Sequence, residues 1–592
     1  MKTALVKVSS LTAFIFLIAN SFAFGQTEEV RQAEARVNQI TSDSGRFFKQ
    51  GLLNLKDNRR PQAGEDFNKS VEVFLMSGIN LTSKDNVKAR DCYNQLVETI
   101  YRIEFPADAQ LPQIRPLSAT CGWNIDNQLS DDIAKLVRQP NQAKPSTDSS
   151  ILAAAVNNIP TEEVAGFNDQ KFEASPLDEL AKLELTPEEI NAPNTPEAQQ
   201  QYQIIQYAIA NKSFGFTFQN HEKVQQFLAY YRGRGRQTME VGLYRSGMFM
   251  RMARRVFKEE GVPENIAWLG QVESAWKPSA MSWAAASGLW QFIPGTGTRF
   301  GLRRTAYVDE RNSFEEATRA SARYLKFLAN RYGGNWELAM GAYNCGEGNV
   351  DKAIRRAGVA NFWAAYPYLP QETRNYVPNI LATMIIANSP QQYGFGHIRP
   401  AAPLQYDRVR VPASTNLSLL AQASDTTVQY LRYLNPHFRT NITPPEPYIV
   451  NVPAGKASEV VALFRRIPAS RINNSNLANS SAGETWQTIS NRTGVSVADL
   501  MAANPGMSAP RGKVFVPQGN NVANTNYSRP TNSVNNGAVV SNIRIVKAQA
   551  GETLEALANR VGAKNVTEIA KFNGLLTTSK LNVGREIRIP TK

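Results

Sequence analysis

Histidine and cysteine are scarce: each occurs three times among 592 residues. His221, His397 and His437 stand apart from one another. No Cys/His grouping has the spacing of a zinc ligand set, and no histidine accompanies a thiol in a motif. The sequence therefore calls for no metal and no cofactor. Basic blocks are also missing, although Lys and Arg outnumber Asp and Glu by 65 to 51 and the formal charge is +14. Such a balance favours polyanionic surroundings. Without a basic run or an RNA-binding signature, nucleic acid is not an expected partner. Long apolar runs are missing as well. Leu11–Ala19 (LTAFIFLIA) is too short to cross a bilayer comfortably. Behind Lys2 and Lys7, and ahead of the small residues Ala23 and Gly25, it reads as a secretory signal over 1–25, cut before Gln26. No cysteine flanks that point, so lipid anchoring is not expected, and no later run suits a transmembrane helix. In an oxidising compartment Cys92 and Cys121 could pair. Cys345 reads as a small buried residue.

The chain is long enough for about three to five domains, and 42% of it is apolar. Residues 26–135 read as helical. Gly51, Ala63, Phe67 and Ser70 fall near the small and aromatic positions of a tetratricopeptide-like hairpin, with a further helix over Tyr93–Ile103; an ordinary helical bundle fits equally well. Residues 136–210 are mostly linker, rich in Pro, Gln, Asn and Ser, with an amphipathic piece at Leu177–Leu185. Residues 211–395 carry helical patterns throughout, including Phe314–Tyr332, Trp336–Ala342 and Val377–Asn388. The Arg-rich run Arg232–Arg236 reads as a solvated turn.

Within this region Pro263 suits a first helical position. Val262, Ile266, Leu269, Val272 and Trp276 then recur at helical spacing, and Pro278 stops the run. Glu273 falls on the same side as Ile266 and Leu269, which puts a carboxyl on or beside a buried face. Burial raises a carboxyl pKa, and a carboxyl still protonated near neutral pH can protonate a leaving oxygen. The alternative is a surface Glu273 paired with Lys277 one turn on. Further motifs follow: Ser282, Ala286-Ser287-Gly288-Leu289-Trp290-Gln291-Phe292, then Ala342-Tyr343-Asn344-Cys345-Gly346, then Glu372-Thr373-Arg374-Asn375-Tyr376-Val377. In this order they resemble the lytic transglycosylases with the goose-type lysozyme fold.

Beyond residue 400 the pattern changes. Tyr406–Val411 and Tyr448–Pro453 alternate like strands around an amphipathic Leu417–Leu431. Residues 400–456 are thus a degenerate βααβ module, followed by a linker over 457–478. Two clearer copies lie at 479–519 and 542–592, joined by a linker at 520–541 rich in Asn and Ser. Gly483-Glu484-Thr485 recurs as Gly551-Glu552-Thr553. Gly494 matches Gly562, Asn504-Pro505 matches Asn573-Gly574, and Val516-Pro517 matches Ile589-Pro590. Each Thr suits a helix cap. These copies resemble LysM modules, which bind N-acetylglucosamine in chitin and peptidoglycan; a module that only spaces or oligomerises is the plainer alternative.

The expected fold is therefore multidomain: a helical N-terminal region, a mainly α lysozyme-like catalytic domain, and small βααβ LysM modules at the C-terminus. The resemblance implies an exported bacterial enzyme of the periplasm or cell envelope, peripherally associated with the outer membrane or wall at most. Its partner would be peptidoglycan glycan strands, bound in the groove and by the LysM modules. It implies cleavage of the MurNAc–GlcNAc β-1,4 bond with Glu273 as the catalytic acid and base, giving 1,6-anhydro-MurNAc ends without water. Carried over by position, Ser282 and Gln291 would bond near Glu273 and the acetamido group, Tyr343 would orient the N-acetyl group, Ile293 would form an apolar sugar platform, and Asn344, Glu372 and Tyr376 would line the groove. Hydrolases usually employ two carboxylates roughly 5 to 9 Å apart. The motifs supply no obvious second one: Asp309 and Glu310 follow at some distance and Glu372 lies in the last motif, but one carboxylate suffices if the substrate completes the reaction. A water-using muramidase and a non-catalytic wall-binding scaffold remain the competing readings.

Overall fold

The computed structural model describes residues 6–57, 59–104, 111–138, 173–282, 284–466, 475–517, 542–549, 552–563, 566, 569, 581 and 586–591, with side chains described from residue 31 onward except at 61, 84, 138, 173, 475, 542–545, 586, 588, 590 and 591. It has two compact units, 1–519 and 520–592. The segment read as a signal continues into the first helix, Val6–Lys56.

That helix and the next, Arg60–Met76, form the predicted hairpin. Gly51 sits where they cross: a Cβ there would meet the Phe67 ring at 2.5 Å, so only glycine allows the approach. The Ser44 and Ser70 hydroxyls bridge the same seam at 2.9 Å. The third helix, Val87–Glu104, is longer than the sequence pattern indicated, and a Cys92–Cys121 disulfide ties it to the following helix, Ile114–Cys121. This region does not stand apart. Its second helix lies against the long helix Arg236–Glu259, where Arg245 makes a bidentate pair with Glu72 at 2.9 and 3.0 Å and the Tyr244 hydroxyl donates to Asn68 Oδ1 at 2.9 Å.

The described part of the supposed linker, 173–210, is structured. Proline follows a capping Ser or Thr at three points, and a helix begins at each: Pro176–Leu180, Pro187–Asn191 and Pro196–Ala210. Glu173 and Ala174 pair in parallel with Ala280 and Met281. Arg234 lies in an exposed turn, as expected, and from there also holds Glu189 of this segment through Nε and Nη2 at 2.8 and 2.9 Å. The main catalytic-region helices are Glu222–Arg232, Arg236–Glu259, Phe314–Arg331, Trp336–Cys345, Glu347–Ala357 and Gln371–Asn388. Gln371–Asn388 is buried along most of its length, from Thr373 to Ile386.

The degenerate module pairs Tyr406–Val411 antiparallel with Tyr448–Pro453, as expected. The helix expected over 417–431 is two, Leu417–Ala423 and Val428–Leu434. Asp425 in the left-handed region and the Thr427 cap break it. Residues 457–466, expected as linker, form a helix with Val460 and Leu463 buried. The next module pairs Ser475–Ser480 with Gly512–Pro517 and packs on its predecessor, with Lys513 bonded to Glu459 at 2.7 Å and to the Ala423 carbonyl at 2.9 Å. Asn435 and Asn504 play one part in these two modules. Each amide donates to a helix carbonyl and to a strand carbonyl and accepts one strand N–H, within 2.7–2.8 Å. Asn573, the third copy, lies outside the described residues.

In the second unit Asn542–Lys547 pairs with Glu586–Thr591 around Leu554, Leu557 and Ile587. The repeated Glu and Thr are used alike in both clear copies. Thr485 and Thr553 cap their helices, and Glu484 and Glu552 each hold an arginine eight residues on, Arg492 and Arg560.

Candidate active site

The segment bearing Glu273 is more contorted than its periodicity indicates. Pro263 precedes a 3₁₀ turn, Glu264–Trp268, and the α-helix proper is only Leu269–Ser274. It ends before Pro278, because Ala275 and Trp276 both take positive φ, at 47° and 58°. The left-handed turn keeps Trp276 fully buried, edge-on to Trp268 and Trp290 with ring centroids 6.2 and 5.8 Å away. Ala285 and Gln291 are left-handed too. Four non-glycine residues in this costly region within one short stretch mark strain that the surrounding packing sustains.

Glu273 is 2% exposed, so the pairing with Lys277 on a surface is not what the structure holds. Its Oε1 accepts the hydroxyl of the fully buried Tyr376. Its backbone carbonyl accepts the Ser175 hydroxyl, from the segment read as linker. Burial pushes its carboxyl up to about 8; the Tyr376 hydroxyl opposes the shift and the negative charge of Glu372 adds to it. The acid is therefore neutral, and able to give a proton, at physiological pH.

Of the remaining predicted residues, Tyr343 and Glu372 lie within electrostatic reach of Glu273. Tyr343 donates to the Trp290 carbonyl at 2.9 Å, and Ser274 donates to the Leu289 carbonyl at 2.9 Å. These two bonds sew the 284–293 loop to the Glu273 helix and to the Trp336–Cys345 helix. Asn344 Nδ2 donates to Glu372 Oε1 at 2.7 Å while Oδ1 accepts from Thr373 at 2.6 Å. Burial also raises the Glu372 carboxyl, and the Asn344 amide opposes that shift. Gln291 Nε2 donates to the Ala280 and Gly288 carbonyls at 2.9 and 2.8 Å, and its buried Oε1 has no hydrogen-bond partner among the described residues. A buried acceptor of that kind costs free energy until a ligand N–H fills it. Ile293 is 47% exposed, an apolar surface at the start of the Pro294–Arg299 helix. Ser282 accepts the Ala286 N–H at 3.2 Å, so its hydroxyl closes the loop. Cys345 is a half-buried free thiol.

Asp309 and Glu310 are not a second catalytic acid. Asp309 is fully buried and clasped by Arg311 at 2.8 and 2.9 Å, with Arg304 at 3.4 Å. Glu310 takes Arg303 at 3.0 Å and the Tyr448 hydroxyl at 2.8 Å. Sequence reasoning missed Ser175, Ser274 and Arg311. Ser175 carries a capping signature before Pro176, but nothing local connects it to a residue so far along the chain.

Residues 253–365 match the transglycosylase SLT domain family. Residues 405–469 match the LysM-like domain of lytic transglycosylase MltD, and 481–518 and 546–590 match the LysM domain. Membrane-bound lytic murein transglycosylase D of Escherichia coli (strain K12) is 28% identical over 350 residues, 57% of this chain and 74% of that protein. Soluble lytic murein transglycosylase of the same strain is 31% identical over 130 residues, 20% of each chain. Among solved structures, the lytic transglycosylase Slt of Pseudomonas aeruginosa, an inactive mutant, aligns over 58% of this chain and 59% of its own at 16% identity; its TM-score of 0.24 carries no weight for the fold. The chain thus carries a transglycosylase SLT domain, an MltD-type LysM-like domain and two LysM domains in that order, and is homologous to membrane-bound lytic murein transglycosylase D.

Proposed function

We propose that this protein is a peptidoglycan lytic transglycosylase of the cell envelope that cuts the MurNAc–GlcNAc β-1,4 bond and leaves 1,6-anhydro-MurNAc ends. The observation that carries the reading is the Glu273 carboxyl: buried, held neutral to about pH 8, and bonded to a hydroxyl instead of a cation.

Glu273 gives its proton to the glycosidic oxygen as the C1–O bond breaks. The MurNAc N-acetyl oxygen supports the charge left at C1. The C6 hydroxyl of the same sugar then forms the new C1–O bond, and its proton returns to the Glu273 carboxylate. One acid serves both halves, the atoms balance without water, and the enzyme ends as it began. Tyr376 holds the carboxyl in place through its hydroxyl. The unpartnered Gln291 Oε1 suits the acetamido N–H. Tyr343 orients the same group, Ile293 underlies an apolar sugar face, and Asn344 with Glu372 lines the groove. Ser282 keeps the loop that carries Gln291 closed. The LysM modules bind glycan strands of the same polymer.

Mass spectrometry of the products released from purified sacculi tests the reading. Anhydro ends are expected. Reducing ends alone mean that water, not the C6 hydroxyl, is the nucleophile, and absence of products means a binding protein.

A further inference from the structure

The 284–293 loop, which carries Gln291 and leads into Ile293, is propped from behind by residues 303–312. Arg311, 1% exposed, is the centre of the prop. Its Nη1 donates to the Ala285 carbonyl at 2.7 Å and to the Phe292 carbonyl at 2.9 Å, gripping both ends of the loop. Its Nε and Nη2 are held by Asp309. The Ser287 hydroxyl donates to Asn312 Oδ1 at 2.7 Å. Gly288 lies so close that a Cβ would stand 2.2 Å from the Arg311 carbonyl. The hydrogen bonds of this strut to the loop are short, and those to Phe292 and Ser287 are buried.

The far side of the strut belongs to the LysM-like module. The Asp309 N–H donates to the His437 carbonyl at 2.7 Å, and the Arg439 N–H donates to the Tyr307 carbonyl at 2.9 Å. Val308 pairs with Phe438 in an antiparallel bridge and shares that module's apolar core. The Arg439 guanidinium reaches the Thr305 carbonyl, and the Tyr448 hydroxyl reaches Glu310 at 2.8 Å. Backbone pairing of this kind fixes position; it is not the loose tether of a mobile binding module.

We propose that Arg311 is a positioning residue for the glycan, acting through the 284–293 loop, and that the LysM-like module is a built-in brace of the catalytic groove. This rests on the transglycosylase reading above. A loop displaced by about 1 Å misplaces the sugar against Glu273 and can cost about a hundredfold in rate. The rest of the groove still binds the strand, so the loss falls on kcat more than on KM.

The full chain is assayed on soluble glycan strands, with anhydro products counted by mass spectrometry and folding followed by thermal melting. Arg311→Met should lower kcat at least about tenfold with KM changed less than about threefold. Arg311→Lys, which keeps a cation beside Asp309, should recover part of the loss and covers the case in which the methionine variant does not fold. Tyr448→Phe, on the module side, should lower kcat in the same direction by a smaller factor. A melting temperature that falls while kcat and KM of folded Arg311→Lys and Tyr448→Phe stay at the wild-type values would overturn the proposal. Failure of the wild type to make anhydro products would instead sink the transglycosylase reading, so the two failures are told apart by the control.

Discussion

Two buried acids of the catalytic region, Glu273 and Asp309, behave in opposite ways. Both are almost fully shielded, at 2% and 0% exposure. Asp309 is surrounded by guanidinium: Arg311 binds both of its oxygens and Arg304 approaches one. Its charge is compensated where it stands, so it works as a fastener. Glu273 has one described side-chain donor, the Tyr376 hydroxyl, and a second carboxylate, Glu372, close enough to push its pKa up. Burial without a cation keeps its carboxyl protonated to about pH 8. Burial alone does not separate these two acids; the charge of their neighbours does.

The largest expected effect separates the two acids by turnover. Glu273→Gln keeps size and hydrogen bonding but removes the proton, and should cost at least about 10³-fold in product formation. Sacculus pull-down through the LysM modules should persist. If that variant kept most of its turnover, the contrast with Asp309 would have no functional content.

The next effect reverses the ranking. Asp309→Asn leaves Arg311 buried without its counter-charge and should destabilise the protein by about 3–5 kcal/mol, measured by denaturant unfolding of the first unit. Glu273→Gln should do the opposite at alkaline pH. The Glu273 carboxyl is raised in the folded protein from its ordinary 4.5 to about 8. Its contribution to stability is therefore complete below about pH 4.5 and is lost as pH rises through about 8. The Gln variant should be more stable than the wild type near pH 8, by on the order of 1–3 kcal/mol, and the gap should close toward pH 4. A gap that widened in acid would mean that Glu273 is charged and compensated, like Asp309.

The contrast between these acids was only partly legible in the sequence. Periodicity placed Glu273 beside Ile266 and Leu269, and that was enough to expect burial. It could not reveal the partner, because Tyr376 comes from a helix a hundred residues on, nor the left-handed turn at Ala275 and Trp276, which is fixed by the packing of three tryptophans. Asp309 and Glu310 sat in the sequence as candidate second acids because their arginine partners declare themselves only in space. The strands at Tyr406–Val411 and Tyr448–Pro453 matched residue for residue, since alternation over a half-buried hairpin is a local signal. The 173–210 segment was misread for the converse reason. Its Pro, Gln and Asn content looks like linker, yet its Ser-Pro and Thr-Pro steps are helix starts whose burial depends on the distant Glu273 and Arg234.

The smallest expected effect probes the hydroxyl that replaces a cation at Glu273. Tyr376 donates to Oε1 and so favours the ionised carboxyl, offsetting part of what burial does. Removing that donor in Tyr376→Phe leaves burial and Glu372 unopposed. The pKa should rise, and the alkaline limb of the pH–kcat profile, near 8 in the wild type, should move up by about one unit. Turnover at neutral pH should fall only a few-fold, because the acid remains protonated and only its orientation is loosened. A limb that moved down would mean that the hydroxyl accepts from a neutral Glu273 and stabilises the acid form. In that case Tyr376 would help to hold the proton on, and the missing cation would no longer be the whole reason that Glu273 differs from Asp309.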